Sequence, residues 1–456
     1  MNRMLQLQRM AVPLSLAQLA FAANTFVTSY FLSLFSTTAL HASLPGSMLA
    51  VAVSSLAISS LGYAGTIFAA RHGSGDAPGA VAAFKAALSL TALSIPFFFL
   101  AVPLGHAILG AFNTAADVLA AESAYYDVLL ANGFFTTLAA VLGGYFTGQG
   151  KTRFVGAVTV FGFLVNIALA PVFIGGMFGL PTSGVQGAGW AATIAHVVPC
   201  IVLAAAIRFM PVKAHARKVL RSDFAEILRL GVPNGVRAVI DIGGFFVFTA
   251  VLAECAKPAV AASTAAFAVN GIYQAFPQGL AQSLEILTAR APESDRRQFL
   301  GPSVTLVGVY AILFCAVLAA AGVAILLAFG KKGDSEFVGT FTETACILVT
   351  ILGAKALFES LVQILQAFLR GCGKTAAVFR IQFGTSVLFW IPLFFAVRAW
   401  RPGIPAFWLT MLACSALSSA LLWRQAKPSG LTRRLAGKFG LRFAHGRLER
   451  LPNIGK

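Results

Sequence analysis

The chain has 456 residues, 58% of them hydrophobic and only 11% charged, with a mean hydropathy of +0.82. Soluble domains carry roughly 25% charged residues, so a soluble enzyme is excluded; a single-span receptor is excluded too, because crossings of about 20 residues would fill this length many times over. The 34 Lys+Arg against 16 Asp+Glu give a formal charge of +18, a surplus that in a membrane chain marks cytoplasmic loops rather than a nucleic-acid partner.

In chain order, the long unalternated apolar runs predict twelve helical spans and exclude a porin-type barrel, whose strands alternate. The first six lie near Ala11–Phe35, Pro45–Ala70, Ala86–Leu109, Ala121–Gly148, Val155–Phe178 and Gly187–Phe209. The second six lie near Leu230–Leu252, Ala262–Ala289, Val304–Phe329, Phe341–Phe368, Val378–Val397 and Ala406–Trp423. Met1–Met10 carries Arg3 and Arg9 as a signal peptide would, but the run that follows is too long for an h-region and is retained as span 1. Of the 34 basic residues, 27 fall on the side that holds both termini, 5 on the opposite side, and Arg237 and Lys355 lie within spans. The bias places both termini in the cytoplasm of a multi-pass protein of the cell inner (plasma) membrane.

The spans form a repeat. Pro13 and Pro233, Arg71 and Arg290, the Gly-Lys-Thr turns at Gly150 and Gly373, and Pro171 and Pro392 recur at offsets of 219 to 223 residues. With an even number of spans per half the repeat is parallel, which predicts two pseudo-symmetric six-helix lobes about an axis along the membrane normal, with a substrate path between them. The N-lobe is read as 1–210, a cytoplasmic amphipathic linker as 211–229, the C-lobe as 230–424 and a basic cytoplasmic tail as 425–456. In the tail, Leu431, Leu435 and Phe439 share a helical face, consistent with either a solvated tail or a surface-bound helix.

Soluble-enzyme motifs fail on inspection. The Gly-Lys-Thr turns lack the upstream glycine of a phosphate loop, with Tyr145 and Phe368 in its place. They read as cytoplasmic helix ends. The six cysteines are scattered and read as core residues, and the six histidines form no cluster, so no catalytic set, metal or cofactor is expected.

Ionisable residues at bilayer depth are functional candidates by default. Span 7 carries Arg237 and Asp241, and span 10 carries Lys355, Glu359, Gln363 and Gln366. Span 8 carries Asn270, Tyr273, Gln274, Gln278, Gln282 and Glu285. Three polar stripes cannot all face lipid, so they are expected to converge in the C-lobe. Either they form a neutral packing network, or Asp241 and Glu359 hold a cation or proton, with Arg237 and Lys355 bringing the quartet to zero formal charge. The N-lobe offers uncharged groups, among them Thr28 and Asn166, with Asp127 read as a solvated helix-start charge.

Three segments carry a family resemblance. Gly148-Gln149-Gly150-Lys151-Thr152-Arg153 with Asn166 and Pro171, Gly184-Val185-Gln186-Gly187-Ala188-Gly189-Trp190-Ala191-Ala192, and Leu230-Gly231-Val232-Pro233 resemble, in that order, motifs of the multidrug and toxic compound extrusion (MATE) transporters, from Met4 to Trp423. The resemblance implies an outward exporter coupled to H+ or Na+ by alternating access. Asp241 and Glu359 match the C-lobe acids of its NorM-like branch. The family's span 1 acid falls on Thr28 and a span 5 acid of another branch on Ala170, which puts coupling in the C-lobe. The expected partners are a small-molecule substrate, a coupling cation and the bilayer, in a monomer; Arg237 and Lys355 favour an acidic or zwitterionic substrate. The rival readings are a flippase for a lipid or lipid-linked saccharide and, more remotely, an intramembrane enzyme.

Overall fold

The computed structural model describes residues 3–35, 37–111, 116–179, 181–212, 217–252, 257–322, 335–400, 404–426, 441–444 and 447–450. All twelve predicted spans are helical over their described residues, apart from short turns. Span 1 is Arg3–Phe35, and span 2 is Thr37–Gly62 continued by Ala64–Gly73. Span 3 pairs Ala77–Leu93 with Ile95–Gly110, and spans 4, 5 and 6 are Ala116–Gly148, Thr152–Gly175 and Gly184–Phe209. In the second half, spans 7 and 8 are Arg221–Leu252 and Lys257–Arg290, span 9 starts at Leu300–Val317, and span 10 is Ser335–Gly371. Span 11 joins Thr375–Phe383, a π-helical Gly384–Trp390 and Ile391–Trp400, and span 12 is Ile404–Ala426. Ten described helical segments are long and apolar enough to cross a membrane. Spans 7 and 8, which carry two of the polar stripes, are not among those ten.

The π segment ends two residues before Pro392. Proline has no N–H and its ring crowds the carbonyl four residues back, so a locally widened turn ahead of it relieves both.

The repeat is visible in the packing. Span 2 packs on span 4 as span 8 packs on span 10, span 4 on span 6 as span 10 on span 12, and span 1 on span 5 as span 7 on span 11. The two Gly-Lys-Thr turns superpose in detail. Gly150 (φ +86) and Gly373 (φ +76) sit in the left-handed region. The Lys151 N–H bonds to the Phe146 carbonyl, as that of Lys374 does to Leu369. These are Schellman caps, in which glycine ends the helix and the following N–H reaches back five residues.

The lobes meet through spans 1 and 8 and through spans 2 and 7. An apolar core joins them at the end of the molecule that carries the start of span 1: Leu7, Met10 and Ala11 of span 1 pack with Leu280, Leu284 and Leu287 of span 8 and Ile364 and Phe368 of span 10. A Cβ on Gly231 would stand 2.1 Å from the Ser60 carbonyl oxygen, so spans 7 and 2 touch backbone to backbone. Polar groups bolt the same seam. Tyr63 Oη donates to the Arg370 carbonyl at 2.5 Å, Thr66 Oγ1 donates to Glu285 at 2.9 Å, and Arg370 Nε donates to the other Glu285 oxygen at 2.9 Å.

Only part of the predicted linker, 211–229, is helical among the described residues. Pro211, Val212 and Arg217–Leu220 are non-helical, and the helix that begins at Arg221 runs straight into span 7. The cause is local: Asp223, fully buried, accepts from the Leu220 N–H at 2.9 Å and from Arg71 and Arg217 at 2.7 Å each. That set of donors ends the linker and starts the helix. Burial opposes ionisation of Asp223, but the Leu220 N–H and the two guanidiniums outweigh it and hold the carboxyl below the usual carboxylate range. Arg71 also pairs with Glu226, so the end of span 2 is pinned to the start of span 7. Leu431, Leu435 and Phe439 lie outside the described residues; further on, Leu441–Ala444 pairs antiparallel with Arg447–Arg450 in a short hairpin.

Candidate functional site

Helical spacing places Arg237 and Asp241, and likewise Lys355 and Glu359, one turn apart on one face. Each pair forms an ion pair along its own helix. Both open onto a cavity of about 560 Å³ enclosed by spans 7, 8, 10, 11 and 12. All four residues line that space, the acids more openly than the bases: the Asp241 and Glu359 side chains are 33% and 30% exposed, those of Arg237 and Lys355 16% and 3%.

Amides connect the pairs to their surroundings. Arg237 donates to Gln366 at 3.2 Å, Gln366 to Gln382 at 3.0 Å, and Gln382 to Ser386 at 3.0 Å. Arg237 also approaches Asn234 at 3.5 Å, whose amide donates to the Ser59 carbonyl of the N-lobe at 2.9 Å. The network therefore reaches the interlobe seam. On the other side, Asn270 donates to Glu359 at 3.5 Å and Gln363 to Gln274 at 2.9 Å. Lys355 Nζ stands 5.9 Å from the centre of the buried Trp408 ring, a cation–π contact. Gln278 lines the cavity directly.

One predicted member is placed elsewhere. Tyr273 is buried against span 9, stacked on Tyr310 at 5.0 Å and Phe314 at 4.3 Å, with its hydroxyl on Ser360 at 2.7 Å. It shares span 8 with Asn270 and Gln274, but the 100° step per residue turns its ring away from the cavity. Gln282 and Glu285, further along the stripe, line a different cavity of about 450 Å³, together with Gln18, Thr66, Thr136 and His196 of the N-lobe.

In the N-lobe, Asn166 of span 5 donates to Asn24 of span 1 at 2.9 Å, both buried. Thr28 lies one turn beyond Asn24. Asp127 is half-exposed and pairs with His106 at 2.8 Å, so that histidine is not isolated. What sequence reasoning missed is the set of interlobe contacts, Arg71 with Asp223 and Glu226 and Tyr63 with Arg370. Partners 150 or more residues apart leave no local pattern to read. The one hint was that Arg71 and Arg290 recur at equivalent span ends.

A family model described as MatE matches residues 13–172 and 233–395, one match per lobe. The chain belongs to the MatE family. It is a multi-pass membrane transporter of the MATE class and not an enzyme. It is 31% identical over 282 residues to a probable multidrug resistance protein NorM of Pseudomonas aeruginosa, an alignment covering 60% of this chain and 57% of that protein. A second probable NorM, from Pseudomonas putida, is 25% identical with 96% of both chains covered. Among solved structures, a MOP-superfamily transporter from Pyrococcus furiosus, described as having a binding pocket of reverse polarity, matches with a TM-score of 0.81 at 16% identity over 96% of this chain and 97% of that one. An outward-facing multidrug resistance MATE transporter matches with a TM-score of 0.78 at 17% identity, covering 96% and 97%. At these identities the structural matches establish the MATE fold, with its two six-helix lobes.

Proposed function

We propose that this MATE protein exports a small organic compound from the cell by alternating access of its lobes, with both termini cytoplasmic. The compound binds in the C-lobe cavity, and a coupling cation, H+ or Na+, exchanges at Asp241 and Glu359. The observation that carries this reading is the single cavity of about 560 Å³ onto which both intramembrane carboxylates open, each backed by its own base. Intramembrane charges are expensive, and a neutral packing network would have no reason to expose the acids to a cavity. Arg237 and Lys355 equip the same cavity for an anionic group, so a compound with an acidic or zwitterionic end fits it better than a purely cationic one. Gln278 and Gln363 line the cavity and supply amides that orient the compound, and Gln274 and Asn270 hold Gln363 and Glu359 from behind. The multidrug names of the curated relatives support export as the direction.

The test is transport in proteoliposomes under an imposed pH gradient or, separately, a Na+ gradient. Cationic dyes and a panel of organic acids and zwitterions are offered to the wild type, Asp241→Asn and Glu359→Gln. The expected result is gradient-driven flux that either substitution abolishes. Flux indifferent to both substitutions makes the quartet a packing network and sinks the coupling scheme.

A further inference from the structure

Lys355 and Glu359 form the less exposed of the two pairs, and their chemistry differs from that of Arg237 and Asp241. The Lys355 ammonium is a compact point charge, as an alkali cation is, whereas the Arg237 guanidinium is a flat, weakly hydrated fork. Lys355 is 2% exposed, its Nζ lies 2.5 Å from Glu359 Oε2, and the face of Trp408 stands 5.9 Å from the same nitrogen. The surroundings of Glu359 otherwise suit a metal cation. Asn270 Oδ1 and Gln363 Oε1 are buried amide oxygens without a hydrogen-bond partner among the described residues. The first belongs to the amide whose nitrogen reaches Glu359, and the second lies one turn along the same helix. A carboxylate beside two spare amide oxygens is the donor set that hard cations take.

We propose that Lys355 is the resident cation of this site: tethered one helical turn from Glu359, its ammonium takes the place that a diffusible Na+ would occupy, and the site excludes Na+. The proposal rests on the preceding reading that Glu359 is a coupling acid, and it selects the proton from the two coupling ions named there. A second monovalent cation at Glu359 would stand within a few ångströms of a buried ammonium, where repulsion is little screened. A proton meets no such competition for oxygen ligands, because it adds to the carboxylate itself. The other groups around Glu359 fit this assignment. Asn270 of span 8 is neutral, and the Arg237–Asp241 pair across the cavity on span 7 is internally compensated.

Purified protein in detergent is titrated with radiolabelled sodium at constant ionic strength, with choline as the counter-titrant, and melting is followed in parallel. The wild type is expected to show no saturable Na+ binding dependent on Glu359 and no Na+-specific rise in melting temperature. Lys355→Met, which keeps the apolar stem and removes the charge, is expected to gain saturable Na+ binding tighter by on the order of tenfold or more. The double variant Lys355→Met, Glu359→Gln should lose it again. Saturable Na+ binding to the wild type that Glu359→Gln abolishes overturns the proposal, as does a monodisperse Lys355→Met protein that binds no Na+. Should Lys355→Met fail to fold, the wild-type and Glu359→Gln titrations decide by themselves: binding that requires Glu359 overturns the proposal, and its absence supports it. Because the readout is Na+ binding and not flux, a failed coupling scheme shows in the liposome assay, and a failed Na+ exclusion shows here.

Discussion

The two lobes share a helix arrangement and differ in what they bury. Where the C-lobe holds Arg237, Asp241, Lys355 and Glu359 around a cavity, the N-lobe joins spans 1 and 5 with the hydrogen bond from the Asn166 amide to Asn24. Neutral amides satisfy each other at modest cost. Opposed charges in a membrane persist only if paired, and they then respond to any ion or ligand that competes for the pairing. Under the proposed function, the C-lobe is the half whose charges change state and the Asn24–Asn166 contact is scaffold.

The sharpest way to break that contrast is to unpair a C-lobe charge. Glu359→Ala leaves the Lys355 ammonium buried without its carboxylate and should cost about 3–5 kcal/mol, read as a large fall in melting temperature in detergent. Replacing both residues with apolar side chains of similar size should restore most of the loss, while transport stays absent. If Glu359→Ala melts like the wild type, the pair is not structurally coupled and the division between lobes fails.

A second substitution probes the seam between the lobes. Asp223→Asn removes the charge that Arg71 and Arg217 share and should weaken this contact by about 3 kcal/mol. It should appear as faster labelling of cysteines placed at the end of span 2 and the start of span 7. The carboxyl of Asp223 is held below its ordinary range in the folded protein. Its contribution is therefore complete above the unfolded pKa and lost only as pH falls through the lower folded value. Labelling at neutral pH should be flat, rising only in strong acid; a rise near pH 7 would assign the latch to another group.

Smaller effects sharpen the comparison further. Asn166→Leu orphans the Asn24 amide and should cost roughly 1–2 kcal/mol without changing which gradient drives flux. A loss of coupling here would move ion handling into the N-lobe. The twin turns give the finest test. Alanine at Gly373 meets open space and carries only the strain of a left-handed backbone, about 1 kcal/mol. Alanine at Gly150 meets the Arg290 guanidinium at 2.7 Å as well and should be the more destabilising of the two.

Much of this organisation was legible in the sequence. The spans and the repeat follow from hydropathy and recurring prolines and glycines, all of them one-dimensional signals. The polar stripes on spans 7, 8 and 10 converge because helical spacing sets a face. The same spacing misassigned Tyr273, since a residue three past Asn270 shares its face only in part, and span 9 was close enough to take its ring. The linker was misread because Asp223 draws its partners from span 2 as well as from its own neighbourhood. No periodicity in residues 211–229 announces Arg71. Which acid meets which base across the seam is a property of assembled lobes, and it became readable only with both in place.

The apolar seam built from Leu7, Met10, Leu280 and Leu284 has a thermal consequence. Any movement that parts the lobes at this seam exposes that oily surface to water, and hydration of apolar surface raises heat capacity. The enthalpy of opening then changes with temperature. A transport cycle limited by that step should trace a curved Eyring plot, bent by the same leucines that hold the seam shut.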